Sequence, residues 1–181
     1  MINLTKSLEK NGLSLLATGS ALVGENVDWP LERTLYSYLV EWAQITSHHV
    51  AVIDIHGEEI TYEMLLIRVN NRAYLLEKKH AFGRVVISEH SRGIECLVDI
   101  LACSAAGAIY TPIDPQWPEA RRKHIKTITN AVAIFTENTS HVTEAKAPLG
   151  VTFLERVDDP FNTPSYCFFT SGSAGEPKGA L

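Results

Sequence analysis

The chain has 181 residues, 45% of them hydrophobic, which suffices for one domain with a real core and falls short of two of ordinary size. Its 16 Lys and Arg against 21 Asp and Glu give a formal net charge of -5, so no overall field draws in nucleic acid. Residues 1–29 hold no arginine-rich run, and Leu13–Leu22 is broken by Ser14, Thr18, Gly19 and Ser20, which argues against a signal peptide or a membrane span there.

Regular apolar spacing is absent from residues 1–28, which read as an N-terminal arm, and begins afterwards, so 29–181 is expected to be the folded region. Pro30, followed by Leu35, Leu39, Trp42 and Ala43, predicts an amphipathic helix entered where proline is tolerated. Val50–Ile55 is a short apolar strand, and Gly57 turns the chain into Glu59-Ile60. Thr61 is placed to cap a helix with Leu65, Val69, Ala73 and Leu76 on one face. Arg84–Ser88 is the next strand. Ser91 can cap a helix that turns Ile94, Val98, Leu101 and Ala105 inward, and Gly107 ends it where a left-handed residue is wanted.

Ala108–Ile113 predicts a third strand, Pro118 opens a helix with Ile125 and Ile128 as buried positions, and Asn130 stops it. Ala131–Phe135 is again a strand. A polar connection from Thr136 to Leu149 has room for a short helix around Val142–Ala147, and Gly150–Leu154 and Ser165–Phe169 are further short strands. The alternation predicts an α/β fold: a mostly parallel sheet with helices on both faces, binding ligands beyond the carboxyl ends of its strands.

Few side chains outside one segment suggest chemistry. Cys96, Cys103 and Cys167 are an odd number without a CxxC pair, which argues against a disulfide framework and a zinc site and suits a reducing cytoplasm. Cys96 and Cys103 fall on one helical face and read as small buried hydrophobes. The seven histidines are scattered and read as structural or solvent-facing. The basic cluster Arg121-Arg122-Lys123 with Lys126 reads as a solvated helix face.

The exception is Thr170-Ser171-Gly172-Ser173-Ala174-Gly175-Glu176-Pro177-Lys178-Gly179, which follows the apolar run Tyr166-Cys167-Phe168-Phe169. Three hydroxyls, three glycines and one lysine in ten residues describe a loop whose backbone N–H groups can approach a polyanion. Thr170, Ser171 and Ser173 add neutral donors and Lys178 a point charge. A flexible Gly/Ser surface loop is the plain alternative, against which stands its position after a predicted strand. It is not the usual P-loop, because Pro177-Lys178-Gly179 stands where Gly-Lys-Ser/Thr would be needed.

The run from Tyr166 to Gly179 resembles the phosphate-loop signature of the acyl-adenylate-forming superfamily of AMP-binding enzymes, which includes acyl-CoA synthetases, luciferases and the adenylation domains of nonribosomal peptide synthetases. Ile60-Thr61-Tyr62-Glu63-Met64-Leu65 and Ala106-Gly107-Ala108-Ile109-Tyr110-Thr111-Pro112-Ile113-Asp114-Pro115 resemble two further segments of that family, in the right order. The last is most similar in spelling to the amino-acid-activating adenylation domains. The resemblance covers roughly Leu31 to Leu181.

It implies an ATP-dependent, Mg2+-assisted ligase that joins a carboxylate to AMP and passes the acyl group to a thiol, with Thr170, Ser171, Gly172, Ser173, Gly175 and Lys178 holding the phosphates and none of them a general base. The implied partners are a small carboxylic or amino acid and the phosphopantetheine thiol of a carrier protein or CoA, without nucleic acid or membrane. Two departures stand out. Ala174 replaces the family's usual threonine, one neutral hydrogen bond worth about 0.5–1.5 kcal/mol. The segments that follow the phosphate loop in the family, including the acyl pocket and the catalytic lysine, are absent from these 181 residues, so the expectation is the N-terminal part of an adenylation domain. The alternative is a short non-catalytic binding or dimerisation module on the same scaffold.

Overall fold

The structure is a computed structural model that describes residues 14–15, 22–23, 33–138, 146–148, 151, 153, 164–171 and 177–180. It comprises two compact units, Met1–Leu31 and Glu32–Leu181. The first unit contains a minimal antiparallel ladder of β1 (Ser14–Leu15) and β2 (Leu22–Val23), with Ser14 opposite Val23.

The second unit opens with α1 (Leu35–Ile45). This helix starts five residues later than Pro30 suggests, because Thr34 and Ser37 form a reciprocal cap: the Ser37 N–H donates to Thr34 Oγ1 (3.3 Å) and the Thr34 N–H to Ser37 Oγ (3.1 Å). Tyr36, Leu39 and Ala43 are buried, whereas Trp42, expected on the inner face, is 48% exposed and stacks on Tyr62. A hairpin of β3 (Val50–Ile53) and β4 (Glu59–Thr61) follows. The expected strand to Ile55 stops at Ile53 because Asp54 Oδ1 accepts the His56 and Glu58 N–H groups (2.8 and 2.9 Å) and bends the chain into Gly57 at φ 80°. Thr61 caps α2 (Tyr62–Lys78) by accepting from the Met64 N–H, and Leu65, Val69, Ala73 and Leu76 are all buried.

Next come β5 (Val85–Glu89), α3 (Ile94–Ala106), β6 (Ile109–Pro112), α4 (Glu119–Thr129) and β7 (Ala133–Thr136). The three strands form a parallel sheet in the order β6-β5-β7, with Val86 beside Tyr110 on one side and Ala133 on the other. Side chains alternate across β5 and feed two cores. Val86 joins the cluster built from α1, α2 and α3, while Ile87 meets Ile113 and Ile125 on the face covered by α4. Helices therefore cover both faces of the parallel sheet, as the alternation of elements predicts.

Four local expectations need correction. Ser91 does not cap α3: the N-cap of the helix is Gly93, with no side-chain cap hydrogen bond, and the Ser91 N–H donates to Glu137 Oε1 (3.0 Å). Ile128 is 49% exposed and leaves Ile125 as the only buried residue of α4. The basic cluster is not simply solvated: Arg122 and Lys126 reach the buried Glu89 carboxylate, and Arg121 stacks on Trp117 with its guanidinium carbon 4.0 Å from the ring centroid. Of the strand expected at 150–154, Val151 and Phe153 are described and neither joins a ladder; Phe153 instead packs edge-on against Tyr36. The expected helix around Val142–Ala147 lies, up to residue 145, outside the described residues.

Gly107 and Asn130 end α3 and α4 in the left-handed conformation, with φ of 62° and 46°. Among the described residues no helix is long and apolar enough to cross a membrane.

Candidate functional site

The segment rich in hydroxyls and glycines is organised as a hairpin rather than as one continuous loop. Phe168–Ser171 forms β8 and Pro177–Ala180 forms β9, antiparallel, with Thr170 opposite Lys178 and Ser171 opposite Pro177. Three of the expected phosphate-binding residues, Thr170, Ser171 and Lys178, are thus brought to one end of a ladder. The other three, Gly172, Ser173 and Gly175, belong to the connection 172–176, outside the described residues.

The approach to β8 fixes where that end lies. Tyr166 makes a parallel bridge to Tyr110, with the Tyr110 N–H donating to the Ser165 carbonyl and the Cys167 N–H to the Tyr110 carbonyl, both at 2.9 Å. This register sets Phe168 level with Pro112, the last residue of β6, so the chain passes the carboxyl edge of the sheet as it enters Thr170-Ser171. Ligand sites gather at that edge in α/β sheets.

Packing anchors the hairpin. Phe169 packs against the Ile87, Ile113 and Ile125 cluster, and Phe168 stacks on Tyr166 with ring centroids 5.8 Å apart and an interplanar angle of 8°. Tyr166 in turn meets the Tyr110 ring edge-on at 5.9 Å. None of these groups is poised for proton transfer. Burial pushes the Tyr110, Tyr166, Cys103 and Cys167 pKa values up, and for Tyr110 the Cys96 thiol adds to the rise. These side chains stay neutral near pH 7 and act by packing. All three cysteines are free, Cys103 and Cys167 being buried.

Two charged clusters at the end of β5 escaped the sequence reading. On one face Glu89 accepts from Arg122 and Lys126. Burial alone would raise its pKa, but the hydrogen bonds and charges of these two cations hold it below the ordinary carboxylate value. On the other face Asp99, fully buried, accepts from Arg72, from Ser88 Oγ (2.6 Å) and from the His90 ring (2.7 Å). Glu95 binds Arg72 (2.6 Å) and Arg68 (3.2 Å). A signal for this second cluster does exist in the sequence: Arg72 lies between Val69 and Ala73, and Asp99 follows Val98, so opposite charges interrupt the inner faces of two helices.

A divalent metal has no dedicated cradle among the described residues, where no group of three or more His, Cys, Asp or Glu side chains converges.

Comparison with known proteins identifies this arrangement. The AMP-binding enzyme family matches residues 39–181. The chain is 31% identical over 175 residues to tyrocidine synthase 3 of Brevibacillus parabrevis, spanning 87% of this chain and 3% of that protein. It is 29% identical over 170 residues to gramicidin S synthase 2 of Brevibacillus brevis, spanning 86% of this chain and 4% of the relative. Both relatives are many times longer than the matched region.

Among solved structures, the Klebsiella oxytoca NpsA N-terminal subdomain in complex with 3-hydroxybenzoyl-AMSN superposes with a TM-score of 0.63 at 21% identity, over 82% of this chain and 40% of that one. NpsA-ThdA, an artificially fused adenylation-PCP di-domain from the same organism, gives 0.66 at 22% identity, over 82% of this chain and 32% of that one. The complex of VinN with L-aspartate gives 0.62 at 14% identity, over 80% of this chain and 46% of that one. These likenesses are likenesses of the α/β fold. With the family match running from α1 through the hairpin, the conclusion is that the chain belongs to the family of AMP-binding enzymes.

Proposed function

We propose that this chain is the part of an ATP-dependent carboxylate-activating ligase that grips the nucleotide's phosphates, and that the enzyme loads an amino acid or aryl acid onto a carrier-protein thiol. The observation that carries this reading is the hairpin register, which sets Thr170 and Ser171 opposite Lys178 and Pro177 beyond the carboxyl edge of the sheet. In the reaction the acid's carboxylate attacks the α-phosphate, pyrophosphate leaves, and a thiol then takes the acyl group. Catalysis at the phosphates is positioning and charge compensation.

Each group has a defined part. The Thr170, Ser171 and Ser173 hydroxyls donate to phosphate oxygens, Gly172 and Gly175 let backbone N–H groups approach them, and Lys178 offsets their charge. Mg2+, when bound, would neutralise part of the triphosphate charge beside Lys178.

The choice of acid rests on the Tyr110-Thr111-Pro112-Ile113-Asp114-Pro115 segment and on the kind of protein this chain is similar to. NpsA is seen with a 3-hydroxybenzoyl compound and VinN with L-aspartate, which supports an aryl or amino acid. The fusion of NpsA to a PCP partner supports a carrier thiol as acceptor. The free cysteines support a reducing, cytoplasmic setting.

Isothermal titration of this chain and of Lys178→Ala with pyrophosphate and with Mg-ATP tests the phosphate site. Pyrophosphate binding that weakens about tenfold or more in the variant is expected, as for a lost hydrogen bond to a charged group. Equal binding by both chains would remove Lys178 from the site. Pyrophosphate exchange by an enzyme that carries this segment, tried with a panel of acids, tests the substrate class; activity confined to long-chain fatty acids would refute it.

A further inference from the structure

Leu35, Tyr38, Trp42 and Ile45 recur at the alternating three- and four-residue spacing that sets side chains on one stripe of a helix. The stripe is separate from the inner face of α1, where Tyr36, Leu39 and Ala43 are buried, and it is open to water: Leu35, Trp42 and Ile45 are 49%, 48% and 65% exposed. It continues into the next elements. Trp42 stacks on Tyr62 at the start of α2, with ring centroids 6.3 Å apart, and the Tyr62 N–H donates to the carbonyl of His49 (3.1 Å), which precedes the half-exposed Val50 of β3. Single exposed apolar side chains are ordinary on a protein surface, whereas a connected stripe of them marks an interaction site.

The charges around the stripe select its occupant. Glu41 lies beside Tyr38 and Ile45 on the same helix, Glu63 follows Tyr62, and Glu59 comes just before it in β4; all three are exposed. On the opposite sign, the Arg33 guanidinium lies 4.0 Å over the Tyr38 ring and is paired with Glu41, and Arg68, further along α2, is engaged by Glu58 and Glu95. Glu63 has the exposed His48 ring at 3.6 Å. The surface is therefore apolar with an acidic border. In a two-fold contact between copies of this chain the same carboxylates would meet one another, which is unfavourable. An amphipathic helix with apolar residues at heptad spacing and Lys or Arg beside them matches both the spacing and the sign.

We propose that the outer stripe of α1, together with Tyr62, is a docking site for a basic amphipathic helix of another polypeptide. The partner lays its apolar residues on Leu35, Tyr38, Trp42 and Ile45, and its cations meet Glu41, Glu59 and Glu63. The 11 residues of α1 offer about 16 Å of helix, room for three turns of the partner. Trp42 and Tyr62 are the aromatic anchors that such interfaces favour. This goes beyond the nucleotide reading and does not depend on it.

Two labelled synthetic helices test the site by fluorescence anisotropy with the full chain. Both carry Leu at the heptad a and d positions; one has Lys and the other Glu at the flanking positions. The lysine helix is expected to bind at least about tenfold more tightly than the glutamate helix, and to lose about tenfold in affinity with Trp42→Gln or Ile45→Gln. Glu63→Gln should weaken it by a smaller factor and reduce its salt dependence. Ile128→Gln, which alters a half-exposed isoleucine on α4, should leave binding unchanged. If Trp42→Gln does not fold, Ile45→Gln, at the most exposed position of the stripe, carries the same test. Equal binding of the two helices, binding of neither, or the same loss in Ile128→Gln as in Ile45→Gln overturns the proposal. A dimer of the unaltered chain that Ile45→Gln dissolves in sedimentation analysis overturns it too, by giving the face to a second copy.

Discussion

The Phe169 ring lies directly across Gly179, its partner on the opposing strand: a methyl group added at Gly179 would sit 3.1 Å from two ring carbons of Phe169 and 3.3 Å from Cys167 Sγ. The ring cannot easily give way, because it packs against Ile87, Ile113 and Ile125, and Cys167 is itself buried. Gly179→Ala should therefore destabilise the chain by about 1–3 kcal/mol, the usual cost of overpacking. Lys178→Ala, one residue earlier, should leave stability within about 0.5 kcal/mol. Urea unfolding of the two variants measures both. An unaffected Gly179→Ala would mean that the ring moves aside freely.

The phase of α4 yields a second test. Ile125 is fully buried against Ile87 and Ile113, while Ile128, one turn on, is half exposed. Ile125→Ala should cost about 2–5 kcal/mol, and Ile128→Ala within about 0.5 kcal/mol. Similar losses in the two variants would restore the sequence-based expectation that both face inward.

Glu89 gives the acid side of the pH profile. Its folded-state pKa is lowered, so its contribution to stability is present above the ordinary value of 4.5 and is lost as pH falls through the folded value. Glu89→Gln removes that contribution, and should cost about 1–3 kcal/mol at neutral pH, less than a fully buried pair because Arg122 and Lys126 reach water. The stability gap between the unaltered chain and the variant should close on acidification below pH 4.5. A gap that stays constant down to about pH 3, in denaturant unfolding at each pH, would contradict the assignment.

Much of this architecture was legible along the chain because it depends on local rules. The period of Leu65, Val69, Ala73 and Leu76 set the inner face of α2, Thr61 its start, and Gly107 and Asn130 the ends of α3 and α4. The composition of residues 170–179 marked the candidate site, and resemblance in three ordered segments indicated the family. Packing between distant segments decided the rest. Pro30 yielded to Thr34 because Ser37 could complete the cap, and α3 has its N-cap at Gly93 rather than at Ser91, whose N–H meets Glu137 from 46 residues away. Whether Arg122 and Lys126 faced water depended on β5 presenting Glu89 beneath them. Likewise, Thr170 and Lys178 stand opposite each other in a hairpin register in which Phe169 lies on Gly179, while the bridge of Tyr166 to Tyr110 sets where the hairpin meets the sheet. Local propensity and spacing are written along one segment, whereas a buried charge finds its partner, and a strand its register, only when separate segments meet.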